Sequence, residues 1–123
     1  MKKMYRDIIG TFTGTGTSYA AITGSPYSPL KSGTLKAIEI HMSGQAATSL
    51  LEQLTLKLSN PLWTPSHYAC ASGAGIRTAP ATPIPTQKVE LNLPIQIGSP
   101  ITVEAKWNVT AVTPNVTVIG IFS

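Results

Sequence analysis

From Lys88 to Phe122, apolar and polar residues alternate with few breaks. Val89, Leu91, Leu93, Ile95 and Ile97 fall on one side of the alternation, and Lys88, Glu90, Asn92 and Gln96 on the other. After Gly98-Ser99-Pro100 the pattern resumes with Ile101, Val103, Ala105, Trp107, Val109 and Ala111 against Thr102, Glu104, Lys106, Asn108 and Thr110. Val112-Thr113-Pro114-Asn115 then turns the chain into Val116, Val118, Gly120 and Phe122. Successive side chains of a strand point to opposite faces, so a period of two predicts sheets with one dry face. Turn residues between such runs predict antiparallel neighbours. Trp107 holds an inward slot of the best run and is expected in the core.

Upstream the pattern is less regular. Asp7 to Thr13 alternates weakly, Gly14-Thr15-Gly16-Thr17 is too flexible for a strand interior, and Ser18 to Thr23 fits a short strand. A loop follows at Gly24-Ser25-Pro26-Tyr27-Ser28-Pro29. Thr34 to Met42 reads as a strand with Ile38, Ile40 and Met42 on one face and Glu39 and His41 on the other. Leu35 and Ala37 are out of phase with it, which predicts a bulge near Ala37. Residues 46–52 fit a short helix or an irregular segment, before a strand from Gln53 with Leu54, Leu56 and Leu58 inward.

Residues 60–86 read as one long loop, with a strand hidden around His67 to Ala71. Pro61, Pro65, Pro80, Pro83 and Pro85 lie there with Gly73 and Gly75, and residues 79–86 resemble extended polyproline chain. The sum is six clear strands and one or two weaker ones in a single domain of 123 residues. The predicted fold is all-β, an antiparallel two-sheet β-sandwich. A jelly roll is preferred over an immunoglobulin-like order, because the Cys, Trp and Cys mark of the latter is absent.

Charge changes the picture. Only 11% of residues are charged, against about 25% in ordinary soluble domains, and threonine and serine take their place. Contact surfaces between proteins are depleted in charge, since a buried charge must be paired or desolvated. The deficit points to an exterior largely covered by other subunits, the alternative being a Thr-rich extracellular monomer. Lys2, Lys3 and Arg6 form a basic arm, residues 1–6, through which alone the chain could touch nucleic acid. No apolar run approaches the roughly 18 residues of a membrane span. The start lacks the apolar core of a signal peptide, so folding in a reducing cytoplasm is expected.

Chemistry is scarce. A single cysteine, Cys70, excludes an internal disulfide and a thiolate metal cluster. His67 and Cys70 stand three residues apart without an orienting acid or an oxyanion-hole pattern. His41, His67 and Cys70 lack metal-ligand spacing, and Glu39, Glu90 and Glu104 occupy the polar face of strands. The glycines at 10, 14 and 16 match no phosphate-binding fingerprint. No catalytic residue, metal or cofactor is expected. Trp63, Tyr68, Tyr19 and Tyr27 are aromatic residues outside the best strands, suited to stacking on sugars or to anchoring an interface. Trp63, held between Pro61 and Pro65, is expected to anchor a neighbouring subunit.

The basic amino-terminal arm, the Thr-, Pro- and Gly-rich all-β body, the long loop and the regular closing strands (residues 101–111 and 116–122) together resemble the single jelly-roll coat proteins of icosahedral viruses. That resemblance implies a self-assembling capsid subunit, made in the host cytoplasm and resident in the virion. Its partners would be copies of itself or companion coat proteins. Trp63, Tyr68, Pro80, Pro83 and Pro85 of the loop and Lys2, Lys3 and Arg6 of the arm would reach them. The alternatives are a spike or fibre component, or a carbohydrate-binding or adhesive module with Trp63, Tyr68 and Tyr27 as its stacking platform.

Overall fold

The computed structural model describes residues 3–43, 53–72, 87–108 and 115–123. They form β1 (Tyr5–Phe12), β2 (Ala20–Ala21), β3 (Gly33–Ser43), β4 (Gln53–Ser59), β5 (His67–Ser72), β6 (Gln87–Ile95), β7 (Thr102–Trp107) and β8 (Asn115–Phe122). One sheet has the order β1-β8-β3-β6 and the other β2-β7-β4-β5, with every pairing antiparallel. Eight strands in these two orders make a jelly-roll sandwich, the expected fold. Lys2, the alternative helix at 46–52, Pro80, Pro83, Pro85 and the turn at 112–114 lie outside the described residues.

The alternation works as expected in β4, β6, β7 and most of β8, but not in β1, where Ile8 is exposed and Ile9 buried. Leu54, Leu56, Leu58, Val103, Ala105, Trp107, Val118 and Phe122 are inside, nearly all fully buried. The Trp107 indole N–H is satisfied by the Gly14 carbonyl at 2.9 Å, so the largest buried ring carries no orphan donor. A register shift between Leu35 and Ala37 is the bulge foreseen in β3. It brings Leu35 into the core beside Ile38. A second shift between Ile8 and Gly10 bends β1. There Gly10 is required: a Cβ at this position would lie 2.3 Å from the Thr23 carbonyl oxygen, where Thr11 and Thr23 exchange backbone hydrogen bonds of 3.0 and 2.8 Å.

Two expectations need correction. The turn at Gly98-Ser99-Pro100 does not join neighbours, because β6 and β7 belong to different sheets. Among the strands described, only β4 and β5 are both consecutive and paired. Alternation reports that a strand has one dry face, and the strands of both sheets satisfy that condition, so it carries no pairing information. Ile97 is 61% exposed, since β6 ends at Ile95 and Gly98 (φ +89°) reverses the chain just beyond. β5 is the strand expected within the loop at 60–86, and the first part of that loop is fastened. The Asn60 side chain donates to the Ser99 and Pro100 carbonyls, both at 3.0 Å, and accepts from the Leu62 N–H at 2.8 Å.

Burial separates the true core from apparent core. Leu56→Ala should cost about 2–5 kcal/mol of stability through lost burial and a residual cavity. Ile97→Ala should stay within about 0.5 kcal/mol despite sitting in phase with the core pattern. Urea unfolding midpoints of the two variants check this contrast.

Candidate functional site

With the inner faces spent on each other, the two outer faces and the sandwich ends are left for function. The outer face of the β1-β8-β3-β6 sheet carries Ile8 and Ile119, which are register partners. Beside them the Arg6 guanidinium donates to Glu39, and His41 Nε2 lies 3.3 Å from the same carboxylate. Arg6 therefore belongs to β1 and to a cross-sheet ion pair, not to an extended arm. Such an exposed pair contributes at most about 1 kcal/mol. Lys3 is exposed near Tyr5 and Lys31.

Trp63, the expected intersubunit anchor, is 7% exposed and belongs to the core of its own chain. Its indole N–H donates to the Pro94 carbonyl at 2.7 Å, and its ring meets His67 edge-on at 5.8 Å. Tyr27 is also buried, stacked on Phe122 at 5.6 Å and donating its hydroxyl to Asp7 at 2.6 Å. Neither ring is available to a sugar or to a neighbouring subunit. Flanking prolines reveal a fixed backbone at Trp63 but not the direction in which its ring points. His67 and Cys70 are separated as well: His67 turns toward Trp63, whereas Cys70 is exposed on the outer face of β5. An odd offset along a strand puts two side chains on opposite faces. Among the described residues, no group of three or more His, Cys, Asp and Glu is placed to hold a metal, and no helix is long and apolar enough to cross a membrane.

Of the four aromatic residues singled out by sequence, Tyr68 and Tyr19 remain at the surface, and the fold brings them together. The register of the β2-β7-β4-β5 sheet explains how. Lys57 pairs with Tyr68 on one side and Glu104 on the other, and Thr55 pairs with Cys70 and Lys106. Ala20 pairs with Ala105, so the preceding Tyr19 falls beside Lys106. From the β2 edge the Tyr19 ring reaches across the face to Tyr68 on β5, with ring centroids 6.5 Å apart and planes inclined at 48°. Lys106 Nζ lies 4.7 Å and Lys57 Nζ 5.8 Å from the Tyr19 centroid. Tyr68 is 57% exposed, and Cys70 Sγ sits 3.7 Å from Thr55 Oγ1.

Partial burial, then the neighbouring Tyr68, Cys70 and Glu104, push the Tyr19 phenol above its ordinary range. The sequence marks Lys57 and Lys106 as outward-facing but not as a pair. Both occupy ordinary outward positions of alternating strands, and only the register between non-consecutive strands gathers them.

No protein-family model matches the sequence, and no curated protein is detectably similar to it. Among solved structures, the chain is similar to a carbohydrate-binding module from Cellvibrio mixtus lichenase 5A, solved in complex with cellotriose. The identity is 18% and the TM-score 0.40, over 95% of this chain and 89% of that one. This likeness is one of outline and says nothing about which residues of the present chain bind a ligand. The expectation of a self-assembling viral coat subunit does not hold. The aromatic anchor assigned to assembly, Trp63, is inside the subunit and presents no ring to a neighbour.

The buried Tyr27 phenol gives a pH signature. Burial first, then its hydrogen bond to Asp7, raises its pKa well above the ordinary 10.0. The folded state therefore holds this proton more tightly than the unfolded state. The stabilisation is complete below pH 10 and is lost above it, by up to about 1.4 kcal/mol per pH unit. Tyr27→Phe should make the alkaline fall in stability shallower, as read from chemical unfolding between pH 9 and pH 11.

Proposed function

We propose that this chain is a non-catalytic glycan-binding β-sandwich module, with Tyr19 and Tyr68 as its stacking platform. The observation that carries this reading is the pairing of these rings on an open sheet face, where Tyr68 is 57% exposed. A sugar ring offers an apolar C–H face and a rim of hydroxyls. A tyrosine offers the complementary surface, an apolar ring with a polar edge. The inclination of 48° between the rings makes a shallow V and not a plane, which suits one saccharide chain better than a flat crystalline surface. Thr55, Gln53 and Thr102 extend the face with neutral hydrogen-bonding groups on β4 and β7.

The same face argues against hydrolysis. Glycosidases use two carboxyl groups about 5–10 Å apart across the scissile bond. Among the described residues Glu104 is the one carboxylate on the outer side of the β2-β7-β4-β5 sheet.

Titration of the purified protein against a panel of soluble oligosaccharides checks the proposal. At least one glycan should bind, and Tyr19→Ala and Tyr68→Ala should each weaken it about tenfold. Ile8→Ser, on the opposite outer face, should leave affinity unchanged. Retention of full affinity in both tyrosine variants, or a folded protein that takes no glycan, would sink the reading.

A further inference from the structure

We infer that the glycan recognised on this face is anionic, carrying a carboxylate or sulfate that sits between Lys57 and Lys106. This rests on the glycan-binding reading above and specifies its ligand class. The chain is sparing with charge, only 11% of residues, yet two ammonium groups converge on one ring, at 4.7 and 5.8 Å from the Tyr19 centroid. Ion pairs among the described residues join Arg6 and His41 to Glu39 and Lys88 to Glu90, and none of them engages Lys57 or Lys106. Glu104 is the register partner of Lys57, yet no ion pair joins the two.

Two cations held near one aromatic face repel each other, and the attraction of an exposed cation to a ring offsets this only weakly. An anionic group placed between them removes the repulsion and gains two charge-assisted hydrogen bonds. The position also suits the sugar geometry. A pyranose stacked on the exposed Tyr68 ring projects its exocyclic acid toward Tyr19, over whose ring the two ammonium groups lie. The Tyr19 hydroxyl, neutral like any phenol near pH 7, adds a donor.

The experiment compares three soluble probes by calorimetry: oligogalacturonate, the same oligomer with its carboxyls methyl-esterified, and a kappa-carrageenan oligosaccharide, which carries sulfate and no carboxylate. An acidic probe should bind about tenfold tighter than the ester at low salt, with the preference shrinking toward unity near 0.5 M salt. Comparing oligogalacturonate with the sulfated probe identifies which anion is taken. Lys57→Gln and Lys106→Gln should each reduce the acid-to-ester preference several-fold. Lys88→Gln removes the same charge from the other sheet and should leave that preference intact.

Equal affinity for acid and ester, lost in Tyr68→Ala, would overturn the anionic assignment and leave the glycan platform standing. An acid preference unaffected by either platform lysine but reduced by Lys88→Gln would overturn it as bulk charge attraction. Absence of binding by any probe, together with a silent oligosaccharide panel, would overturn both.

Discussion

Every described strand except the two-residue β2 gives one face to a single shared interior, and that commitment governs where everything else can be. Residues such as Leu54, Leu56, Leu58, Val103, Trp107 and Phe122 close the gap between the two sheets. Burying them is the dominant favourable contribution to the fold. Because side chains alternate, each inward residue forces its neighbours outward, and the outer faces are fixed with no further instruction. Thr55, Lys57, Glu104 and Lys106 face outward because Leu54, Leu56, Val103, Ala105 and Trp107 face inward. The candidate site is thus a by-product of the core in its placement, and only its residue types are free to serve function.

The polar groups inside follow the same logic. Asn60 is buried, yet its amide satisfies two carbonyls and a backbone N–H, and so locks the β4–β5 turn to the turn after β6. Trp63 fastens the same region to Pro94. These bonds meet groups that would otherwise cost about 1–3 kcal/mol each if left unpaired in the interior. They also explain how a proline-rich segment can be rigid at its start without regular structure.

Much of the architecture was legible in the sequence. The period of two located most strands, the phase break at Leu35 and Ala37 located a bulge, and a short strand could be discerned at His67. The pairing of strands was not legible. β8 lies between β1 and β3, and β7 between β2 and β4, in contacts formed by segments distant in sequence. Alternation cannot encode such neighbours, because every strand with one dry face looks alike. The fate of the aromatics was hidden for the same reason. Trp63 and Tyr27 resemble exposed loop residues until the opposing wall at Pro94, Phe122 and Asp7 is in place. Tyr19 and Tyr68 stand far apart along the chain, and it is the long-range order β2-β7-β4-β5 that makes them a pair.

The position of Tyr19 shows how the interior reaches the surface. β2 is only two residues long, too short to orient a ring by its own ladder. What steadies it is the preceding glycine-rich segment. The backbone N–H of Trp107 donates to the Gly16 carbonyl at 3.0 Å, and its indole N–H donates to the Gly14 carbonyl at 2.9 Å. Trp107 is 1% exposed, so its ring is held on all sides by the core and acts as a fixed post to which the strand leading into Tyr19 is tied. On the other side of the ring, Ile22 is buried and its N–H donates to Val103 at 3.1 Å. The flexible Gly14–Thr17 stretch, unpromising as a strand, is therefore useful as a tether. Gly14 packs against Phe12, whose ring would lie 2.7 Å from a Cβ at that position, and the segment delivers a tyrosine to the sheet edge with both ends anchored in the sandwich.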